Sequence, residues 1–112
     1  MLYETRDYYV VPGNLEALNN RFASHTIGYF KQYGIGMMGF WTDEIGISNL
    51  LTYILTFDSM ADREKKWGAF SVDPGWLQVR VESESSGPLV ARVENAFMRA
   101  TAYSPEPDLS SK

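Results

Sequence analysis

The only histidine of the chain, His25, is the side chain best suited to acid–base chemistry. Histidine ordinarily titrates near neutral pH, so a base-catalysed reaction or haem ligation would depend on this residue. At about 100° per residue along a predicted helix, His25 falls on the flank of a buried stripe, beside Leu18 and Tyr29. The members of this stripe are Leu15, Leu18, Phe22, Thr26, Tyr29 and Tyr33. It is either a catalytic base or a packed histidine that is hydrogen-bonded to a strand or to a partner subunit. The packed interpretation is favoured, because the sequence offers no companion for a nucleophile-and-base pair.

Arg6 and Glu4 fall on one side of a predicted central strand, where a charge is costly unless it is paired or hydrogen-bonded. In one interpretation, the planar guanidinium of Arg6 binds the carboxylate of a substrate. In the other, Arg6 forms an internal ion pair with Glu4, or with Glu94 across the sheet. The ion pair is the favoured alternative.

Aromatic and amide side chains on the predicted strands are candidates for a small-molecule site. Tyr53 has a hydroxyl and Asn95 an amide that need hydrogen-bond partners when buried. The predicted ligand-binding residues are Arg6, Trp41, Tyr53, Phe57 and Asn95, with His25 as the candidate catalytic residue. The aromatic members, together with Phe97, could equally form the core of a dimer. Trp67 and Trp76 are interpreted as helix-packing residues, because their helical spacing explains them.

Charge and composition exclude several kinds of site. The formal net charge is −4, whereas nucleic-acid binding normally needs a basic stripe that displaces counterions from phosphates. The one basic cluster, around Arg63, Lys65 and Lys66, alternates with acidic residues and predicts a solvated helix face. With no cysteine and one histidine, the chain lacks disulfides, thiol catalysis and the common metal-ligand sets. We therefore expect no metal, no cofactor and no nucleic-acid partner.

Nothing in the sequence points to a membrane or to export. The N-terminus carries acidic residues and no apolar segment, unlike a signal or transit peptide. No run reaches the about 18 uninterrupted apolar residues of a membrane span. The sequence predicts a soluble, cytoplasmic protein. Its 112 residues fit one globular domain, 1–104, and the proline-containing residues 105–112 are predicted to be disordered.

A predicted hairpin, residues 35–58, is apolar on both faces of its second strand. Leu51, Tyr53, Leu55 and Phe57 alternate with a second set that includes Leu50 and Ile54. A strand with one solvated face should alternate apolar with polar residues, and this one does not. Helices of the same chain can cover one face, and we expect a second copy of the chain to cover the other.

The other elements complete an α+β fold. A strand occupies residues 2–11 and a helix residues 14–33. A second helix begins after Ser59 and a short third one after Asp73, both typical capping residues. The last strand lies within residues 89–103. This order predicts a ferredoxin-like βαββαβ domain with an extra short helix before the last strand, and with the first and third strands at the centre. Two such domains would pair as a dimeric α+β barrel.

Motifs along the chain resemble the NIPSNAP family. The N-terminal match is Leu2-Tyr3-Glu4-Thr5-Arg6-Asp7-Tyr8 followed by Pro12-Gly13. The central matches are His25, Gly39-Phe40-Trp41-Thr42, Glu44-Ile45-Gly46, Asn49 and Phe57-Asp58-Ser59. The C-terminal matches are Ala61-Asp62-Arg63-Glu64, Asp73-Pro74, Trp76, Glu94-Asn95 and Ser104-Pro105. Each motif alone is weak, whereas their order and spacing make the resemblance specific over nearly the whole chain.

The resemblance implies a dimeric α+β barrel and no agreed reaction. Families that share this fold include cofactor-free monooxygenases of antibiotic biosynthesis, haem-degrading monooxygenases and lactone isomerases, so chemistry taken from them is analogy at the level of the fold. Many NIPSNAP members carry a histidine where this chain has Tyr53. A metal-ligand or strong-base role at that position therefore loses its support here.

Three hypotheses of function follow. The leading one is a homodimeric barrel protein that binds a small, partly apolar molecule in the barrel cavity. The second is a cofactor-independent monooxygenase or isomerase in which His25 acts as base and Arg6 or Asn95 stabilises a developing oxyanion. The third is an interaction protein that binds no ligand and whose dimer surface is its function.

Overall fold

The computed structural model describes residues 1–105, so all but the first residue of the predicted disordered tail lies outside the described range. In chain order the elements are β1 (Leu2–Val10), α1 (Leu15–Arg21), a π-helical turn (Phe22–Thr26), α2 (Ile27–Gln32), β2 (Gly36–Thr42), β3 (Leu50–Phe57), α3 (Met60–Ser71), α4 (Pro74–Ser83) and β4 (Val90–Met98). This order confirms the predicted ferredoxin-like arrangement with an extra helix before the last strand.

The four strands form one antiparallel sheet in the order β2-β3-β1-β4, with the first and third strands at the centre as predicted. Arg6 pairs with Tyr53 on β3 and with Asn95 on β4, so the three side chains share one face of the sheet. Phe30 of α2 packs on this face, with its ring centroid 6.2 Å from that of Tyr53. We call it the helix-covered face, and the opposite one the open face.

The capping residues predicted for the two later helices are confirmed. The side-chain oxygen of Ser59 accepts a hydrogen bond from the backbone N–H of Asp62 at 3.1 Å, which begins α3. A carboxylate oxygen of Asp73 accepts from the N–H of Trp76 at 3.0 Å, which begins α4. Each bond satisfies a backbone donor that has no partner within the helix.

The first predicted helix contains a π turn, which the hydrophobic pattern does not indicate. A π turn holds more residues than an α-helical turn, so it changes which of the following residues face the sheet. Phe22 and Thr26, within the turn, are buried as the predicted stripe requires. Beyond it, Phe30 is the buried residue, whereas Tyr29 and Tyr33, the predicted members of the stripe, are half-buried. The turn therefore changes which side of α2 faces the sheet.

The open face carries apolar side chains that no helix of the described chain covers. Its apolar members are Tyr3, Met38, Trp41, Ile54 and Met98. Trp41 is 49% exposed and Met98 41% exposed. The predicted pairing of two such faces into a barrel concerns a second chain and stays a prediction. Within residues 1–105, no helix has the length and apolar character needed to cross a membrane.

Candidate functional site

A buried polar network occupies the helix-covered face around Arg6. The Nη1 of Arg6 donates to Glu4 Oε2 at 2.8 Å, Nε donates to the Tyr53 hydroxyl at 2.8 Å, and Nη2 donates to the Tyr8 hydroxyl at 3.3 Å. The ion pair of Arg6 with Glu4 is therefore confirmed. The alternative partner, Glu94, is wrong, because it lies on the open face, where it accepts from the Tyr9 hydroxyl at 3.1 Å.

Glu4 is fully buried and is held by donors from three elements. Besides Arg6 of its own strand, Asn95 of β4 donates to Oε2 at 3.1 Å. Arg63 of α3 donates to both carboxylate oxygens, at 3.1 and 3.2 Å. The prediction of a solvated helix face is therefore wrong for Arg63, because its long side chain reaches under the helix to a carboxylate that needs charged partners.

Because of these hydrogen bonds, the free energy of unfolding should depend on pH in the acid range. Burial raises the pKa of Glu4, but the hydrogen bonds from Arg63, Asn95 and Arg6 outweigh burial and leave the pKa below the ordinary value of 4.5. A carboxylate with a lowered folded-state pKa stabilises the fold above its unfolded-state pKa, and this contribution is lost as the pH falls through the folded-state value.

We therefore expect the free energy of unfolding to fall below about pH 4.5. The measurement is urea unfolding from neutral pH down to acid pH, with Glu4→Gln as the matched variant. At acid pH the slope of the wild type should exceed that of the variant, by at most about 1.4 kcal/mol per pH unit, the value for one whole proton taken up on unfolding. Parallel slopes would contradict this role of Glu4.

A hydrogen-bond relay leads from Arg6 to the Tyr8 hydroxyl. Tyr53 accepts from Arg6 and donates to Tyr8 at 2.8 Å. Burial raises the pKa of Tyr53 well above its ordinary value, so Tyr53 stays a neutral hydroxyl. Tyr8 accepts from both Arg6 and Tyr53. Because a hydroxyl has two acceptor sites and one proton, the Tyr8 proton is the part of the relay that is left to donate elsewhere.

Tyr8 borders a half-open cavity of about 360 Å³ between the helical layer and the sheet. Its aromatic wall consists of Phe22, Phe30, Trp67, Phe70 and Trp76. Its main polar groups are Arg6, Tyr8, Arg21, Thr26, Arg80 and Glu84. The ring of Trp67 also contacts two guanidinium groups, whose central carbons lie 4.4 Å (Arg6) and 5.1 Å (Arg63) from the ring centroid. Trp67 therefore combines helix packing with a cation–π role.

Arg21 is the second buried arginine of the cavity, with 8% of its surface exposed. Its Nη1 donates to the Ser83 hydroxyl at 3.2 Å and lies 3.5 Å from Glu84 Oε2. Its guanidinium carbon lies 5.5 Å from the centroid of the Trp76 ring. Within residues 1–105, its Nε has no hydrogen-bond partner. Burial lowers the pKa of Arg21 below its ordinary value, and Glu84 offsets this only in part.

The predicted position of His25 is wrong. His25 lies in the π turn and is exposed, because the turn changes the direction of side chains that an α-helix would have placed beside the sheet. It borders a separate surface hollow with Asn20, Ser24 and Glu82, and not the cavity beside Arg6. The catalytic role proposed for His25 stays a prediction.

The five predicted ligand-binding residues do not form one site. Arg6 lines the cavity, with Tyr53 and Asn95 directly behind it in the polar network. Phe57 pairs with Leu2 near the end of the sheet and is buried in the core. Trp41 pairs with Thr52 and therefore projects from the open face.

Tyr8 and Arg21 were not predicted as site residues. A signal for Tyr8 was present, because Glu4, Arg6 and Tyr8 make three successive polar side chains on one side of a central strand. No comparable signal marked Arg21, since an arginine beside an apolar stripe is ordinarily solvated. Its burial depends on α4, which lies far from it in the sequence and packs against it.

The carboxylates and Tyr53 of this region are held by partners. Glu84, the carboxylate that lines the cavity, is paired with Arg21 and Arg80. Tyr53 stays protonated and Glu4 is neutralised by two arginines, so neither is free to act as a base. The available groups, Tyr8 and Arg21, are hydrogen-bond donors. Within the described residues, no group of three or more His, Cys, Asp or Glu side chains could hold a metal ion.

Comparisons with known proteins agree with this fold. An uncharacterized NIPSNAP domain protein from Burkholderia xenovorans is 23% identical, with a TM-score of 0.83, and the alignment covers 95% of this chain and 100% of that one. A NIPSNAP family protein with unknown function from Agrobacterium tumefaciens is 28% identical, with a TM-score of 0.82 and coverage of 94% and 92%. Among curated proteins, none matches significantly.

A more distant structure, a putative antibiotic biosynthesis monooxygenase from Nitrosomonas europaea, is 11% identical, with a TM-score of 0.61 over 89% of this chain and 98% of that one. At this identity the likeness concerns the fold alone. The NIPSNAP family model, by contrast, matches residues 3–105, which is nearly the whole chain. The chain therefore belongs to the NIPSNAP family.

Proposed function

We propose that this NIPSNAP protein binds a small, partly apolar molecule in the cavity between the helical layer and the sheet. The observation that carries the proposal is the meeting of an aromatic wall and a polar wall in one half-open space of about 360 Å³. Small-molecule sites typically span roughly 300–1,000 Å³ and combine apolar lining with a few polar groups that orient the ligand. The volume fits a compact ligand.

The polar groups of the cavity are held in place by the protein itself. Arg6 and Tyr53 fix the orientation of the Tyr8 hydroxyl, and the ring of Trp67 covers Arg6. Side chains that are ordered in advance lose less conformational freedom when a ligand binds. Arg6 and Tyr8 both line the cavity, so a ligand there would meet polar groups that are already ordered.

This location differs from the one expected from the sequence, which was the space between two sheets of a barrel. The proposed cavity lies on the helix-covered face, next to Arg6, Tyr53 and Asn95. An enzyme that uses His25 as its base gains no support from this geometry, since His25 borders a different hollow.

Blocking the mouth of the cavity is expected to abolish binding. Val93 of β4 lines the cavity and is 43% exposed, so Val93→Trp can fill the opening without overpacking the core. The probe is N-phenyl-1-naphthylamine, a neutral aromatic molecule whose fluorescence rises in an apolar site. We expect its affinity to fall at least about tenfold in Val93→Trp, because the added ring occupies its space.

The matched control is Val81→Trp, because Val81 lies on α4, is 67% exposed and does not line the cavity. This variant should bind the probe like the wild type. A wild type that leaves the probe unbound, or equal binding by both variants, would reject the cavity as the site and favour an interaction protein without a ligand.

We also propose that a second copy of the chain covers the open face. Apolar side chains gathered on one exposed face are costly in water, and an isologous pairing would bury them on both protomers at once. Ile54 pairs with Thr5 of β1 and with Gly39 of β2, so it lies near the middle of this face. This makes Ile54 the position at which a charge would disturb the interface most.

Sedimentation velocity tests the proposed dimer. The wild type should sediment as a dimer at micromolar concentrations. Ile54→Lys should sediment as a monomer, because a symmetric interface would bury two unpaired lysines and weaken association at least about a hundredfold. Val72→Lys, at a position that is 68% exposed after α3, should remain dimeric. A wild type that is monomeric at high micromolar concentrations would refute the proposal.

A further inference from the structure

The positive charge of the buried Arg21 guanidinium is only partly compensated by the protein, and this points to the charge of the ligand. Arg21 is 8% exposed and lines the cavity, yet within residues 1–105 its Nε has no hydrogen-bond partner. A buried donor that belongs to a charged group is costly to leave unsatisfied. The protein alone therefore leaves the buried guanidinium of Arg21 incompletely compensated.

The charges around Arg21 point to a negative acceptor. Glu84 is the one acidic side chain that lines the cavity, and it is shared between Arg21, at 3.5 Å, and Arg80, at 3.4 Å. Arg6, on the opposite wall, is already neutralised by Glu4. The Arg80 side chain is 53% exposed and solvated, so the shared Glu84 leaves only the charge of the buried Arg21 partly compensated. A negative charge in the cavity would complete this compensation.

The π turn contributes to the same wall. Arg21 directly precedes the turn and Thr26 ends it, and both line the cavity together with Phe22. The Thr26 hydroxyl donates to the Arg21 carbonyl at 3.4 Å. π turns within helices are frequent at functional sites, where they alter the positions of side chains. Here the irregular turn occurs beside the unsatisfied arginine.

We propose that the ligand is an organic acid whose anionic group is bound by Arg21 and by the Tyr8 hydroxyl, while its apolar body lies against the aromatic wall. This inference rests on the proposed function and adds the charge of the ligand to it. Arg21 supplies the charge, and Tyr8 supplies the proton left over by its relay with Arg6 and Tyr53. A planar guanidinium suits a carboxylate and also binds a sulfonate or a phosphate.

A pair of dyes tests this inference. 8-Anilinonaphthalene-1-sulfonate and N-phenyl-1-naphthylamine share one aromatic frame and differ by the sulfonate. We expect the wild type to bind the sulfonate at least about tenfold more tightly than the neutral dye, the difference that one charge-assisted hydrogen bond produces. Arg21→Gln should bring the ratio of the two affinities close to one, and this ratio cancels any change in packing that affects both dyes alike.

A second variant keeps the inference testable if Arg21→Gln does not fold. Glu84→Gln removes the negative charge that competes for Arg21 and Arg80, so it should raise the ratio of sulfonate affinity to neutral-dye affinity severalfold. Arg99→Gln is the control, because Arg99 borders the hollow on the open face. It should leave both affinities unchanged.

The outcomes separate the two proposals. If both dyes bind equally to the wild type, and Val93→Trp still blocks them, the ligand site stands and its charge preference is refuted. If the preference is unchanged in Arg21→Gln and in Glu84→Gln, or if Arg99→Gln alone removes it, Arg21 is not the anion site. If neither dye binds, the proposed function itself fails.

Discussion

Replacing Glu4 with alanine is expected to lower the free energy of unfolding by about 3–5 kcal/mol. The side chain is fully buried, and it accepts hydrogen bonds from Arg6, Arg63 and Asn95. Its removal would leave two guanidinium groups facing one another without the carboxylate between them. Losing one partner of a buried ion pair costs more than losing an exposed pair, because the remaining charge stays out of water. Urea unfolding at neutral pH, followed by circular dichroism, measures the loss.

Glu94→Ala is the matched control for this change. Glu94 is also a glutamate of the sheet, but it lies on the open face, where it pairs with the exposed Arg92 and accepts from Tyr9. Exposed ion pairs contribute little, so its loss should cost no more than about 1 kcal/mol. Similar losses for the two variants would mean that the buried network adds nothing beyond an ordinary surface contact.

Replacing Phe30 with alanine is expected to cost about 3–5 kcal/mol as well. The side chain is 1% exposed, and its ring lies 5.1 Å from that of Phe70, 6.0 Å from Trp67 and 6.2 Å from Tyr53, between centroids. A buried aromatic residue that is cut back to alanine loses its transfer free energy and leaves a void that the neighbours fill only in part. Thermal unfolding should show a correspondingly lower midpoint.

Phe97→Ala serves as the comparison, because Phe97 is the same residue type at 39% exposure on the edge strand. It should cost less than half as much as Phe30→Ala, since much of its surface is in water already. Equal losses for the two variants would contradict the packing of Phe30 of α2 against the sheet.

The fold could be predicted because its signals are local. Ser59 and Asp73 cap their helices through bonds to residues three positions later. The apolar second strand of the hairpin needed helices to cover one of its faces, which required a layer of helices packed on a sheet. The burial of Phe30 could not be predicted, because the hydrophobic pattern does not reveal the π turn. The turn adds a residue to the helix, so the direction of every later side chain differs from the one that a regular helix predicts.

Of the contacts in the site, only those within a single strand could be predicted. The pair of Glu4 with Arg6 follows from alternation along β1. Arg63 and Arg21 depend instead on long flexible side chains that cross between layers, and their direction is set by tertiary packing. Cavity shape is equally a property of the packed layers, since Arg21 of α1 meets Ser83 and Glu84 only when α4 docks.

The three-way attachment of Glu4 also bears on motion within the chain. β4 is an edge strand whose residues are almost all exposed, and an edge of this kind would ordinarily fray. Its Asn95 is tied through one carboxylate to α3 and to the centre of the sheet. Opening β4 would strip a donor from that carboxylate and admit water to the charges behind it. Strand and helix should therefore open together, as one cooperative unit, and the part of the cavity wall that β4 forms should keep its shape.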